Sequence, residues 1–135
     1  MLNKRKYNFH HIGSLTGSIS SSEKIFELMG FSFYKTIYDP IQEVHLSFGK
    51  NDSDIIIELV KPIPNSTVEN LLKKNGPGPY HLCYEVGSIQ KEEQVLKSIG
   101  FICVKKPQKA IAFDNRLVAF FYNPSYGLLE LLEKE

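Results

Sequence analysis

The stretch MGFSFYK at residues 29–35 returns as IGFICVK at residues 99–105, and the order of segments around it returns as well. Gly30 falls on Gly100, Lys35 on Lys105 and, upstream, His11 on His81, each moved by 70 positions. Solenoid repeats run to about 20–50 residues, so a period of this length reads as two modules instead. Each half must bury its sheet against the other half or against a helix.

Outward from the repeated stretch, each half has the same succession of patterns. SISSSEKIFELMG (18–30) and SIQKEEQVLKSIG (88–100) have helical spacing and end in glycine. In the first, Ser18 or Ser20 is the expected cap, Gly30 the stop, and Ile25, Phe26, Leu28 and Met29 the apolar positions. A strand over 7–14 precedes the first helix and YHLCYEV (80–86) precedes the second. FSFYKTIY, EVHLSFG and DIIIELV follow the first helix, separated by the turn-forming DPIQ and KNDS. FICVKK, RLVAFFY and GLLELLE follow the second. The connection KPIPNSTVENLLKKNGPGP carries a short helix over 68–73, capped by Ser66. The reading is α+β: βαβββ written twice within one domain of residues 1–135, module 1 at about 7–61 and module 2 at about 79–133.

Strand alternation then exposes four polar residues in apolar company. In YHLCYEV, Tyr80, Leu82, Tyr84 and Val86 share one face, and His81, Cys83 and Glu85 the other. In DIIIELV, Glu58 stands between Ile56 and Val60; in GLLELLE, Glu130 stands between Leu128 and Leu132. An isolated buried carboxylate costs several kcal/mol unless it finds a partner. His11, Glu58, His81 and Glu130 occupy corresponding places in the two modules, and a divalent metal ion accounts for all four. Neutral imidazole and carboxylate suit a borderline first-row metal, and such mixed ligation leaves positions open for water or substrate. A buried ion pair preserved by the repeat is the plainer alternative. His10 points away from His11 on an extended strand and is not counted as a ligand, while His45 reads as structural.

The bulk properties narrow the function classes. The chain has 135 residues, 42% of them hydrophobic and 23% charged, as in ordinary globular proteins, and its formal net charge is +1. That charge makes no general electrostatic case for nucleic acid or a membrane surface. Lys4, Arg5 and Lys6 read as a solvated basic terminus. The two cysteines, Cys83 and Cys103, lack metal-knuckle spacing and read as small buried hydrophobes of a reducing compartment. No apolar run nears the roughly 20 residues of a membrane helix, and no signal core follows the basic start. A cytoplasmic location is expected.

In order, HHIGSL, IIIELVKPIP, NGPGPYHLCYEV and RLVAFFYNPSYGLLELLE resemble the vicinal-oxygen-chelate superfamily of glyoxalases, extradiol dioxygenases and bleomycin-resistance proteins. Within it the likeness is greatest to the methylmalonyl-CoA epimerase group, and it extends from about Phe9 to Glu133. The resemblance implies paired βαβββ modules forming a curled mixed sheet around one divalent ion, with Co, Ni, Mn, Zn or Mg all candidates. Carried over by position, the ligands are His11, Glu58, His81 and Glu130. Some epimerases have Gln where this chain has Glu58. The chain departs from the group at Tyr80, Phe113 and Asn123, where epimerases often have histidine.

Such a site implies an epimerase or isomerase that abstracts a proton beside a carbonyl and stabilises the resulting enolate. Two residues are candidate bases: Glu43, expected to share a strand face with His45 and Ser47, and Glu130, a ligand able to detach. Lys105, Lys106, Lys109 and Arg116 are candidate contacts for a substrate phosphate. The implied substrate is a small molecule, an acyl-CoA thioester or a glutathione adduct, and a homodimer is expected. The alternatives are a lactoylglutathione-lyase-like isomerase and a non-catalytic small-molecule binding protein of the bleomycin-resistance kind.

Overall fold

The computed structural model describes residues 3–135 and contains β1 (Asn8–Leu15), α1 (Ile19–Leu28), β2 (Ser32–Asp39), β3 (Val44–Lys50) and β4 (Ile56–Pro62). After α2 (Thr67–Asn75) come β5 (Gly78–Val86), α3 (Ile89–Ser98), β6 (Ile102–Ala110), β7 (Arg116–Asn123) and β8 (Gly127–Glu133). The order βαβββ therefore occurs twice, joined by α2, and the class is α+β. Two compact units result: His11–Tyr80, and His81–Glu135 together with the start of the chain up to His10.

Both modules have the same sheet logic. In the first, the strand order is β2-β3-β4-β1, with β1 parallel to β4 in the register Gly13↔Glu58 and the other neighbours antiparallel. In the second, the order is β5-β8-β7-β6, with β5 parallel to β8 in the register Cys83↔Glu130. Each module thus sets its first strand beside its last. The helix after the first strand supplies the long crossover that parallel pairing requires.

The helices stop where the repeated glycines stand. Ser18 Oγ accepts the N–H of Ser21 at the start of α1, and Ser88 Oγ accepts that of Lys91 at the start of α3. At the far ends, Phe31 N–H reaches the Phe26 carbonyl and Phe101 N–H reaches that of Leu96, across Gly30 and Gly100 at φ of 100° and 96°. That left-handed turn suits glycine and satisfies the last carbonyls. The helices differ in what they bury. α3 sinks Ile89 and Leu96 into a cluster with Val86, Phe101, Ala119, Phe121, Leu129 and Leu131. α1 buries no residue fully, and Ile25, Leu28 and Met29 stay 55%, 88% and 65% exposed.

The start of the chain is not a loose basic tail. The Arg5 guanidinium donates through Nε and Nη2 to the two carboxylate oxygens of Glu92 on α3, at 3.0 and 2.9 Å. Tyr7 Oη donates to the same carboxylate at 2.9 Å. These bonds, the one from Arg5 foremost, hold the Glu92 carboxyl below its ordinary pKa, against the opposing effect of burial. The basic triplet gave no sign of this, because the acid that selects Arg5 over its neighbours lies on a distant helix.

Candidate metal centre

Each module brings one buried histidine against one buried glutamate. In the first, parallel pairing of β1 and β4 carries His11 and Glu58 to one face, where His11 Nε2 lies 3.5 Å from Glu58 Oε1. In the second, β5 and β8 carry His81 and Glu130 together, with Nε2 and Oε1 3.0 Å apart. His11 is fully buried, and Glu58, His81 and Glu130 are 5%, 4% and 2% exposed.

A phenylalanine braces each imidazole. Phe48 sits opposite Glu58 in register and meets the His11 ring edge-on at 6.2 Å and 86°. Phe120 sits opposite Glu130 and meets the His81 ring at 5.4 Å and 89°. The repeat therefore preserves a three-residue unit of histidine, glutamate and phenylalanine. Sequence reading missed the rings, although RLVAFFY and EVHLSFG contain them; the cross-strand register that selects Phe120 over Phe121 is not written in either strand alone. Phe121 faces the opposite way, into the α3 cluster.

Other expected site residues fall elsewhere. Glu43 is not on the β3 face: it is the exposed last residue of the turn before that strand, at φ 58°, and its carbonyl accepts Ile63 N–H at 3.0 Å. The turn is fixed from within by Asp39, fully buried, whose carboxylate accepts the N–H groups of Ile41 and Gln42 and the Gln42 side-chain amide. Ser47, expected beside Glu43, is buried and donates to Glu23 on α1 at 2.6 Å. His45 is exposed and its ring lies 4.9 Å from that of Tyr38. His10 is half-buried and packs edge-on against Phe113.

The expected phosphate contacts divide in the same way. Arg116 is committed to Glu85 and to the Glu133 carbonyl, so it is a fastener between strands. Lys106 and Lys109 are exposed, while Lys105 is half-buried. Cys83 is buried among Ala110, Val118 and Leu132, and Cys103 is half-buried with its thiol pKa raised by burial; neither forms a disulfide. No helix among the described residues is long and apolar enough to cross a membrane.

The donor chemistry of both pairs, imidazole nitrogen beside carboxylate oxygen, fits a borderline divalent metal. Residues 10–120 match the model of the family described as the Glyoxalase/Bleomycin resistance protein/Dioxygenase superfamily, and the chain belongs to that superfamily. None of the curated proteins compared matches it. Among solved structures it is similar to methylmalonyl-CoA epimerase from Mycobacterium tuberculosis, 22% identical, with a TM-score of 0.82 over 100% of this chain and 93% of that one. A variant of Streptomyces coelicolor methylmalonyl-CoA epimerase in complex with 2-nitronate-propionyl-CoA is 18% identical, with a TM-score of 0.77 over 94% and 96% of the two chains. A hypothetical protein from Bacillus halodurans C-125 is 25% identical, with a TM-score of 0.81 over 97% and 96%. These likenesses establish the vicinal-oxygen-chelate fold expected from the sequence.

Proposed function

We propose that the chain is one vicinal-oxygen-chelate domain whose two His–Glu pairs, His11 with Glu58 and His81 with Glu130, hold a single divalent ion. The carrying observation is the repetition: two modules of different sequence each bury the same two donor types in contact, from corresponding strands. A purely structural ion pair can be exchanged for apolar residues at little cost, so nothing in stability alone requires it twice. The bound ion would supply positive charge against the oxygen that becomes negative as a proton leaves the neighbouring carbon.

The chain's own residues supply the rest. His11 and His81 present ring nitrogens, each imidazole packed perpendicular to a phenylalanine ring, Phe48 and Phe120 respectively. The apolar residues flanking Glu58 and Glu130 keep water from competing for a carbanion-like centre. Glu130 is proposed to take the proton on one face and Glu43 to serve the other, an arrangement suited to epimerisation. Glu43 is exposed and follows a turn fixed by the buried Asp39, at φ 58°, a left-handed conformation it shares with Asp54, Asn65, Asp114 and Asn115. The substrate class is a small acyl compound, with an acyl-CoA thioester preferred because the similar solved structures include epimerases of such a thioester. A homodimer is proposed on the exposed apolar face of α1, and a cytoplasmic location on the free cysteines.

Metal analysis with deuterium exchange at C2 of methylmalonyl-CoA tests this reading. The expected result is one equivalent of metal and metal-dependent exchange with inversion. Metal-replete protein that binds the thioester without exchanging the proton would instead favour a binding protein. Exchange on a hemithioacetal of glutathione alone would favour the glyoxalase-type isomerase. Within the same assay, Glu43→Gln is expected to keep full metal occupancy and to slow exchange by about 10²–10⁴-fold. Wild-type exchange in that variant would remove Glu43 from the chemistry.

A further inference from the structure

A second repeated row crosses both sheets. Lys35, Phe48 and Glu58 are successive cross-strand partners on β2, β3 and β4. Lys105, Phe120 and Glu130 stand in the same relation on β6, β7 and β8. Opposed residues project from the same side of a sheet, so each lysine shares the face of its own module's His–Glu pair. Both are half-buried, although their chain neighbours Tyr34, Thr36, Val104 and Lys106 are exposed.

Plain alternation would not put them there. Phe33 pairs with Gly49 on the opposite face, so close that a Cβ on that glycine would meet the ring at 2.8 Å. Two residues further, Lys35 would share the face of Phe33. A register shift between Phe33 and Lys35 turns it over. The second module repeats the device. Cys103 packs beside the α3 cluster, a shift follows, and Lys105 emerges opposite Phe120. Lys35 Nζ lies 5.8 Å from the Phe48 ring centroid, within cation–π range. A further shift brings Gln108 opposite Val118, and its buried Nε2 has no hydrogen-bond partner among the described residues. A buried amide donor without an acceptor is costly, and a bound oxygen would satisfy it.

We propose that Lys35 and Lys105 bind oxyanion groups of the substrate, with Gln108 donating a further hydrogen bond, so that the substrate is an anionic carbonyl compound. The inference rests on the proposed reading of the His–Glu pairs as the reacting centre. An ammonium has three donors and no acceptor, which suits carboxylate and phosphoryl oxygens equally. The two register shifts, at matching positions, each aim one cation at the face that carries its own module's ring and carboxylate.

The test is calorimetric titration of the full-length protein with malonate and, separately, with inorganic phosphate, in cobalt-loaded and metal-free forms. Wild type is expected to bind at least one anion: malonate if the groups read a carboxylate, phosphate if they read a phosphoryl group. Lys35→Met and Lys105→Met should each weaken that binding about tenfold, the loss expected for a charge-assisted hydrogen bond. Lys35→Arg and Lys105→Arg should restore it. Lys61→Met, on the opposite face of β4 beside His45, should bind as wild type. Wild type that binds neither anion, or methionine variants within twofold of wild type, would overturn the proposal. Failure to retain cobalt would overturn the metal reading alone, because the lysine comparison is repeated on metal-free protein.

Discussion

His81→Ala is expected to lose the metal and the activity together, and to lower Tm by about 10–20 °C even without metal. The two effects have one origin. His81 is buried and its Nε2 lies 3.0 Å from Glu130 Oε1, so truncation removes the imidazole partner of a carboxylate that is only 2% exposed. Breaking a buried pair from one side costs about 3–5 kcal/mol, because the remaining group keeps its desolvation without its partner. The proposed ion loses one of four ligands as well. Removing even an outer-shell partner typically lowers metal affinity about 10–100-fold, and loss of a direct ligand should exceed that. Metal content after dialysis and thermal unfolding of the metal-free protein measure the two parts independently. Wild-type metal content in the variant would remove His81 from the ligand set.

Glu130→Gln is expected to be the most damaging near-isosteric change. Glutamine fills the same space opposite Phe120 and can still bond to His81, so the fold should survive. It brings no negative charge to a cation and cannot accept a proton. Exchange should therefore fall by about 10²–10⁴-fold even when metal is added to saturation. Glu58→Gln is the informative comparison. Glu58 is proposed as a ligand only, so its amide variant should bind metal more weakly yet recover most exchange once metal is saturating. Equal recovery in both variants would exclude Glu130 as the base and leave it a ligand.

The parts of this protein legible from sequence are those governed by short periods. Strand alternation has a period of two, so a glutamate flanked by Ile56 and Val60 has only one face available. Glycines that close two helices at matching positions, Gly30 and Gly100, betrayed the duplication without any knowledge of contacts. What escaped reading depends on partners distant in the chain. The bulges before Lys35 and Lys105 have no residue signature, since they are set by how β2 and β6 meet their neighbours. Glu43 was assigned to β3 by simple extension of its alternation, but the buried Asp39 holds the turn one residue longer. Arg5 looked like one of three equivalent cations until Glu92 distinguished it.

The parallel pairing of first and last strands also makes each His–Glu contact a long-range one. His11 and Glu58 are 47 residues apart in the sequence, and His81 and Glu130 are 49 apart. Closing such wide separations costs chain entropy, which slows folding. An ion taken up by those residues only in the native state would act as a latch. It would leave the rate of folding alone and slow the rate of opening, giving kinetic durability to a domain whose first helix contributes no fully buried side chain.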